Sequence, residues 1–276
     1  MNVARRLRAE VQLALGLFLL VGVVGTTLLA PWISPFDPVS SNLAHIDQPP
    51  SGTHLLGTDA LGRDVLSRII HGGRQSLLIA VLGVALSVLV GTVAAVVAGL
   101  RGGGTEVVLS RAADIQLSLP AILFALMLLA FSARSTAMLV VIIGLTGWPG
   151  LYRVLRSQIL SAMQQPYVEA ARMLGASPVA LARRHLLRRV RPFIVIEATG
   201  DIGRALMMVA GLSYLGLGVR PPTPDWGSAV AEGQAQLGYA WWTSTFPGVA
   251  LVLSFLAFNL VGEWLVDRYS PTEAAR

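Results

Sequence analysis

The chain has 276 residues, 54% of them hydrophobic and only 13% charged, with no cysteine and a formal charge of +6. A soluble domain carries about 25% charged residues, so this composition excludes a disordered chain, a nucleic-acid module and most soluble enzymes. It indicates an all-α, polytopic membrane protein.

All 21 basic residues are arginine. A Walker A loop needs a lysine on the terminal phosphates, so this chain holds no ATP by that motif. The four histidines are His45, His54, His71 and His185, and no two are spaced four apart. Without cysteine and without a helical histidine pair, no metal site is expected.

Six apolar segments are each about 20 residues long, as a spanning helix requires. They fall near 11–30, 76–100, 114–131, from Ala137 onward, 193–217 and 246–266. The first follows Arg5, Arg6 and Arg8, as a signal peptide would. Its apolar run exceeds the ~7–15 residues of a signal core, so it reads as a retained helix. The fourth is expected to break at Gly147-Trp148-Pro149-Gly150. Small residues in the second and third favour close helix packing. Trp32, Trp148, Trp241, Trp242 and Trp264 fall near span ends, at the level of an interfacial belt.

Arginine placement sets the orientation. With the N-terminus inside, Arg5, Arg6, Arg8, Arg101, Arg111, Arg153, Arg156, Arg172, Arg183, Arg184, Arg188, Arg189, Arg191, Arg268 and Arg276 are cytoplasmic. Arg63, Arg68, Arg74, Arg134 and Arg220 are external. Six spans return the C-terminus to the cytoplasm. The chain divides into residues 1–75, a span with an external loop and an interfacial helix, and residues 76–276, a five-helix core.

Three segments lie between spans. Residues 31–75 open on a proline-rich run and reach HLLGTDALGRDVLSRIIHGGRQSL. There Val65, Leu66, Ile69 and Ile70 oppose Asp64, Ser67, Arg68 and His71, the pattern of a short surface helix ending at Gly72-Gly73. It serves either as a connector or as a contact for an external partner. Residues 161–192 form the longest cytoplasmic loop. Pro166 starts a helix with Glu169 in its first turn, and Gly175 ends it. Ser177-Pro178 then caps and starts a second helix. Ala170, Ala171, Gly175 and Ala176 give this loop a small-residue surface that a partner protein can approach, although a basic loop also suits anionic lipid. The third segment, 218–245, is an ordered external loop or a re-entrant cap.

Several of these segments resemble the inner-membrane permease subunits of ATP-driven (ABC) importers. Glu169-Ala170-Ala171, then three residues, then Gly175 is similar to their E-A-A-x-x-x-G loop, and ARRHLL to its continuation. Leu187-Arg188-Arg189 departs from the Leu-Pro-Asn usual near that point. GTDALGRDVLSR, LSYLGLGVRPPTPDWG and FNLVGEWLVD resemble segments of the dipeptide/oligopeptide/nickel branch. Glu263 stands there for Asp, and Val266 for Arg. The four motifs occur in order, and the second (C-type) permease of a dipeptide transporter is the nearest type.

The resemblance implies a type I ABC importer permease fold with six transmembrane helices, in a bacterial cytoplasmic membrane. It implies a second homologous permease, cytoplasmic P-loop ATPase subunits holding ATP and Mg, and an external substrate-binding protein. This chain itself would bind no cofactor and catalyse nothing. Its ATPase-coupling loop would comprise Glu169, Ala170, Ala171, Gly175, Ala176, Ser177 and His185. Substrates would be di- or oligopeptides, with nickel or another small solute as the alternative.

The fifth span carries Glu197, Asp201 and Arg204 on one helix face. Charges inside a bilayer are costly unless paired or facing water, so these line the passage, meet the second permease or form a local ion pair. Asn259 and Glu263 on the sixth span raise the same alternatives. Asp59, Arg63, Asp64 and Trp226 are candidates for contact with the external partner. A self-contained channel or secondary carrier would show an inverted repeat, and a membrane enzyme a convergent catalytic set. Neither is evident in the sequence.

Overall fold

The computed structural model describes residues 3–269, with side chains from Ala9 onward. Arg276 and the side chains of Arg5, Arg6 and Arg8, counted above in the charge bias, lie outside what is described. Among the described residues the secondary structure is helical, without a named strand.

Helix α1 (Val3–Leu28) is the first expected span, and the one-turn α2 (Ala30–Ile33) follows it. Helix α3 (Val65–Arg101) starts at Asp64, whose carboxylate caps the Ser67 amide, and stops at Gly102, at φ +60°. Helix α4 (Gly103–Leu117) and helix α5 (Ala121–Ala130) meet at 93°. Helix α6 (Thr136–Met163) is capped by Ser135. The long cytoplasmic loop of the sequence reading holds α7 (Pro166–Met173) and α8 (Pro178–Leu181). A π-turn at Ala182–Leu186 leads into α9 (Leu187–Tyr214). Helix α10 (Trp226–Gly233) and the long α11 (Trp242–Tyr269) complete the order.

Three expectations are corrected. The proposed interfacial helix is the first two turns of α3, which runs unbroken through Gly72-Gly73. Both of its faces are covered: Val65, Ile70, Ser67 and Arg68 are all buried. The two glycines serve close approach instead of a break. A Cβ on Gly72 would sit 3.2 Å from the Asp225 backbone, and one on Gly73 would strike the Trp226 ring.

The expected break at Gly147–Gly150 is likewise absent, and α6 passes straight through Pro149. Proline in a helix leaves the carbonyl four residues back without its amide. Here that carbonyl is Leu145, and the Gln116 side chain of α4 donates to it at 2.6 Å. Trp148 Nε1 donates to the same glutamine's oxygen at 3.0 Å. A side chain from a neighbouring helix thus replaces the missing bond, and Trp148 sits mid-helix instead of at a span end.

The third correction concerns the expected continuous span at 114–131. It bends sharply because Pro120 opens a new helix and has no amide with which to continue α4.

Helices α1, α3, α6 and α11 are long and apolar enough to cross a membrane, and the bent α4–α5 pair makes a fifth candidate. Helix α9 is 28 residues long, but its charges keep it off this count. The expected six is therefore not reproduced by length and apolarity alone. The core forms two main clusters along the bundle: α3, α6 and α9 contribute to both, while α5 and α11 join one and α4 the other. Helices α3 and α6 approach closely, and a Cβ on Gly83 would lie 2.5 Å from Ile143.

Candidate functional site

Helix α7 is amphipathic, with Val168 wholly buried and Glu169 and Ala170 exposed. Its end is a complete Schellman cap. The Gly175 amide bonds the Arg172 carbonyl at 2.9 Å, and the Ala176 amide bonds the Ala171 carbonyl at 3.0 Å. That geometry requires a left-handed residue, and Gly175 has φ +82°. Ser177 then accepts the Ala180 amide at 3.2 Å and starts α8. The helix–turn–helix expected from Pro166, Gly175 and Ser177-Pro178 is the observed geometry.

The small residues are not what this loop presents most openly. Met173 is 80% exposed and Leu174 88% exposed, and Val179 is also open. These three apolar side chains flank the Gly175 turn and stand open among the described residues. They escaped the sequence reading, which attended to charge and to small residues. The available signal was that Met173 and Leu174 immediately precede a helix-ending glycine, where the backbone turns outward. His185 lies on the π-turn, half-buried, with its ring 5.8 Å from that of Tyr167.

The structure brings together the three charges of α9. Arg204 donates to Asp201 from Nε at 2.9 Å and lies 3.6 Å from Glu197. The cluster holds two acids and one base, and the arginine is exposed on the outer face of the helix. Glu263 is engaged elsewhere: it accepts from Gln12 of α1 at 2.5 Å, an exposed pair that ties α1 to α11. Asn259 is partly buried on α11. Neither is seen bonded to the α9 cluster.

The external candidates are bonded within the chain. Asp59 accepts the amides of Leu61 and Arg63 at 2.9 and 3.0 Å, and the Arg63 side chain at 2.7 Å. Its second oxygen also pairs with Arg68. Glu232 of α10 joins Arg63 at 2.6 Å and Arg68 at 2.8 Å. Asp64 accepts from His54 at 2.9 Å and from the Ser67 amide and hydroxyl. Trp226 is 2% exposed and donates to the Ile69 carbonyl at 2.7 Å. Trp242, expected in an interfacial belt, is buried and donates to the Thr58 carbonyl at 3.0 Å.

Asp59, Asp64 and Trp226 are therefore buried and turned inward, and in this conformation their side chains offer no surface to an external partner. Nearby, Asp47 is pushed up from its ordinary value, first by burial and then by the charge of Asp59. Among the described residues no three His, Asp or Glu side chains converge as metal ligands would.

A family model, the inner membrane component of binding-protein-dependent transport systems, matches residues 63–273. The chain belongs to this family. The di/tripeptide transport system permease protein DppC of Pseudomonas aeruginosa is 35% identical over 262 residues, 93% of this chain and 86% of that protein. The oligopeptide transport system permease protein OppC of Bacillus subtilis is 33% identical, over 96% of this chain and 87% of its own length. The glutathione transport system permease protein GsiD of Pectobacterium atrosepticum is 34% identical, over 97% and 89%. As a member of this family the chain is a permease component of an ABC transporter with the type I permease fold. The matched region contains the loop from Pro166 to His185, the α9 charges and Arg63 and Arg68, and begins just after Asp59.

Proposed function

We propose that this chain forms, with a second homologous permease, the path by which an ABC importer moves di- or oligopeptides into a bacterial cell. Its termini lie in the cytoplasm, as the arginine bias requires. The loop from Pro166 to His185 docks by its tip, around Glu169–Gly175, on a cytoplasmic P-loop ATPase, which holds ATP and Mg, and an external binding protein delivers the substrate. The observation that carries this reading is the loop itself. It sets exposed apolar side chains, Met173, Leu174 and Val179, around a turn fixed by backbone bonding. Apolar side chains held rigidly in the open cost little entropy to bury against a partner.

The energetic logic is direct. This chain has no lysine for a phosphate loop, so the work of ATP must reach it mechanically from another subunit. A short, capped helix transmits force where a floppy loop would absorb it. The peptide assignment rests on the relatives, whose names specify di/tripeptide, oligopeptide and glutathione transport. Glu197, Asp201 and Arg204 support it chemically, since both signs of charge on one helix face suit a zwitterion. They line the passage or its boundary with the second permease.

The deciding experiment is purification of the tagged chain in mild detergent, followed by mass and stoichiometry of what accompanies it. A second permease and a P-loop ATPase are expected. A homo-oligomer free of ATPase would overturn the coupling-loop assignment and favour a channel or secondary carrier. Uptake assays with labelled dipeptide and with nickel then separate the substrate classes.

A further inference from the structure

Two sets of arginines in this protein stand in contrast. Arg63, Arg68, Arg153, Arg156 and Arg204 each face a carboxylate. Arg183, Arg184, Arg188, Arg189 and Arg191 are exposed and take part in no ion pair among the described residues. These five, with Tyr167, His185 and Leu187, line one open concavity of about 1000 Å³. No acidic side chain contributes to the lining, so the concavity holds five like charges and nothing to balance them.

Its place in the chain narrows the occupant. Arg191 is followed directly by Pro192-Phe193-Ile194-Val195-Ile196, where α9 turns apolar. The concavity therefore sits where the helix enters the hydrocarbon, at the height of the lipid phosphates. Arginine forks match phosphate oxygens, and Tyr167 and Leu187 supply amphipathic and apolar wall at the same level. The loop tip around Met173 and Leu174 is chemically different. It is apolar and contributes neither Met173 nor Leu174 to the lining of the concavity, so a protein docked on the tip does not by itself neutralise these charges.

We propose that the Arg183–Arg191 concavity binds the headgroup phosphate of an anionic phospholipid. The lipid supplies the missing counter-charge and pins the π-turn to the membrane surface. The inference depends on α9 entering the bilayer and not on the identity of the transported solute.

The test uses the full chain, delipidated in detergent and titrated by native mass spectrometry. The probes are cardiolipin, phosphatidylglycerol, phosphatidylcholine and, separately, inorganic phosphate. The two anionic lipids are expected to bind and phosphatidylcholine to be lost. The Arg188→Gln/Arg189→Gln variant should lose roughly tenfold or more in anionic-lipid affinity. The Arg188→Lys/Arg189→Lys variant should keep much of it, with unchanged helicity in both. Equal binding of the neutral lipid, or undiminished anionic-lipid binding by the Gln variant, would overturn the proposal. Inorganic phosphate competing as well as lipid would reassign the concavity to a small anion. Displacement of bound lipid by the partner ATPase would reassign it to protein docking.

Discussion

The lobe around Asp59 and the loop from Pro166 to Arg191 use charge in opposite ways. Around Asp59, Arg63 and Arg68, one acid and two bases from a single short segment are joined by Glu232 from far along the chain, and they satisfy one another in and beside the core. Around Arg183–Arg191, five bases stand open without a carboxylate. Both regions carry recognisable sequence motifs. The first is complete as it stands; the second has every mark of a surface that something else must complete. A motif therefore reports that a segment is constrained, and only the environment of its side chains says whether the constraint is internal or external.

The sharpest way to break this contrast is to remove Arg68. The substitution Arg68→Ala leaves Asp59 buried without one of its partners and should cost about 3–5 kcal/mol, read as thermal unfolding of the purified chain in detergent. An unchanged melting temperature would mean that the external network is dispensable. Next in size is Leu174→Asp. It should weaken ATPase association by about 2 kcal/mol or more while leaving melting within about 0.5 kcal/mol of the parent. Equal loss of both would make the exposed leucine a structural residue and erase the contrast.

Smaller is Gln116→Ala, which orphans the Leu145 carbonyl beside Pro149 and should cost about 1–3 kcal/mol. Pro149→Ala restores the helix amide, so the double variant should recover most of that loss. No recovery would show that Gln116 matters for another reason. Smallest is Gly175→Ala. A Cβ there meets nothing within 4 Å, so only the left-handed backbone is penalised, by about 1–2 kcal/mol. A bulky residue at Gly175 should cost the folded chain little more than Ala does, yet should block ATPase docking and uptake. Normal uptake by such a variant would remove the loop tip from the coupling path.

These effects also measure what a sequence reading can see. Local chemistry was legible. Pro166, Gly175 and Ser177-Pro178 announce a start, a stop and a restart, because caps and turns are decided by neighbouring residues. What failed was non-local. Gly72-Gly73 and Pro149 carry strong breaking signals, but Asp225, Trp226 and Gln116 come from far along the chain to make use of the gap. The burial of Asp59 and Asp64 was hidden for the same reason. Nothing within GTDALGRD shows that Glu232 and His54 will supply partners. Membrane spans suffered least, apart from 114–131, where Pro120 was read through and the chain in fact turns, and 193–217, where the charges of α9 keep it off the count of apolar spans.

One feature of the fold has a mechanical meaning. From Pro178 the chain runs through α8, the π-turn and α9 with no intervening coil, so Val179 beside the loop tip and the Asp201–Arg204 pair share a single axle. At about 1.5 Å per residue, roughly 25 Å separates the π-turn from Asp201. The π-turn is the soft joint of that axle, since its bonds can change partner by one residue without opening the helix. A twist applied at the Pro178 end can thus arrive at Asp201 and Arg204 as a rotation of the charged face, with the joint setting how much of the turn is passed on.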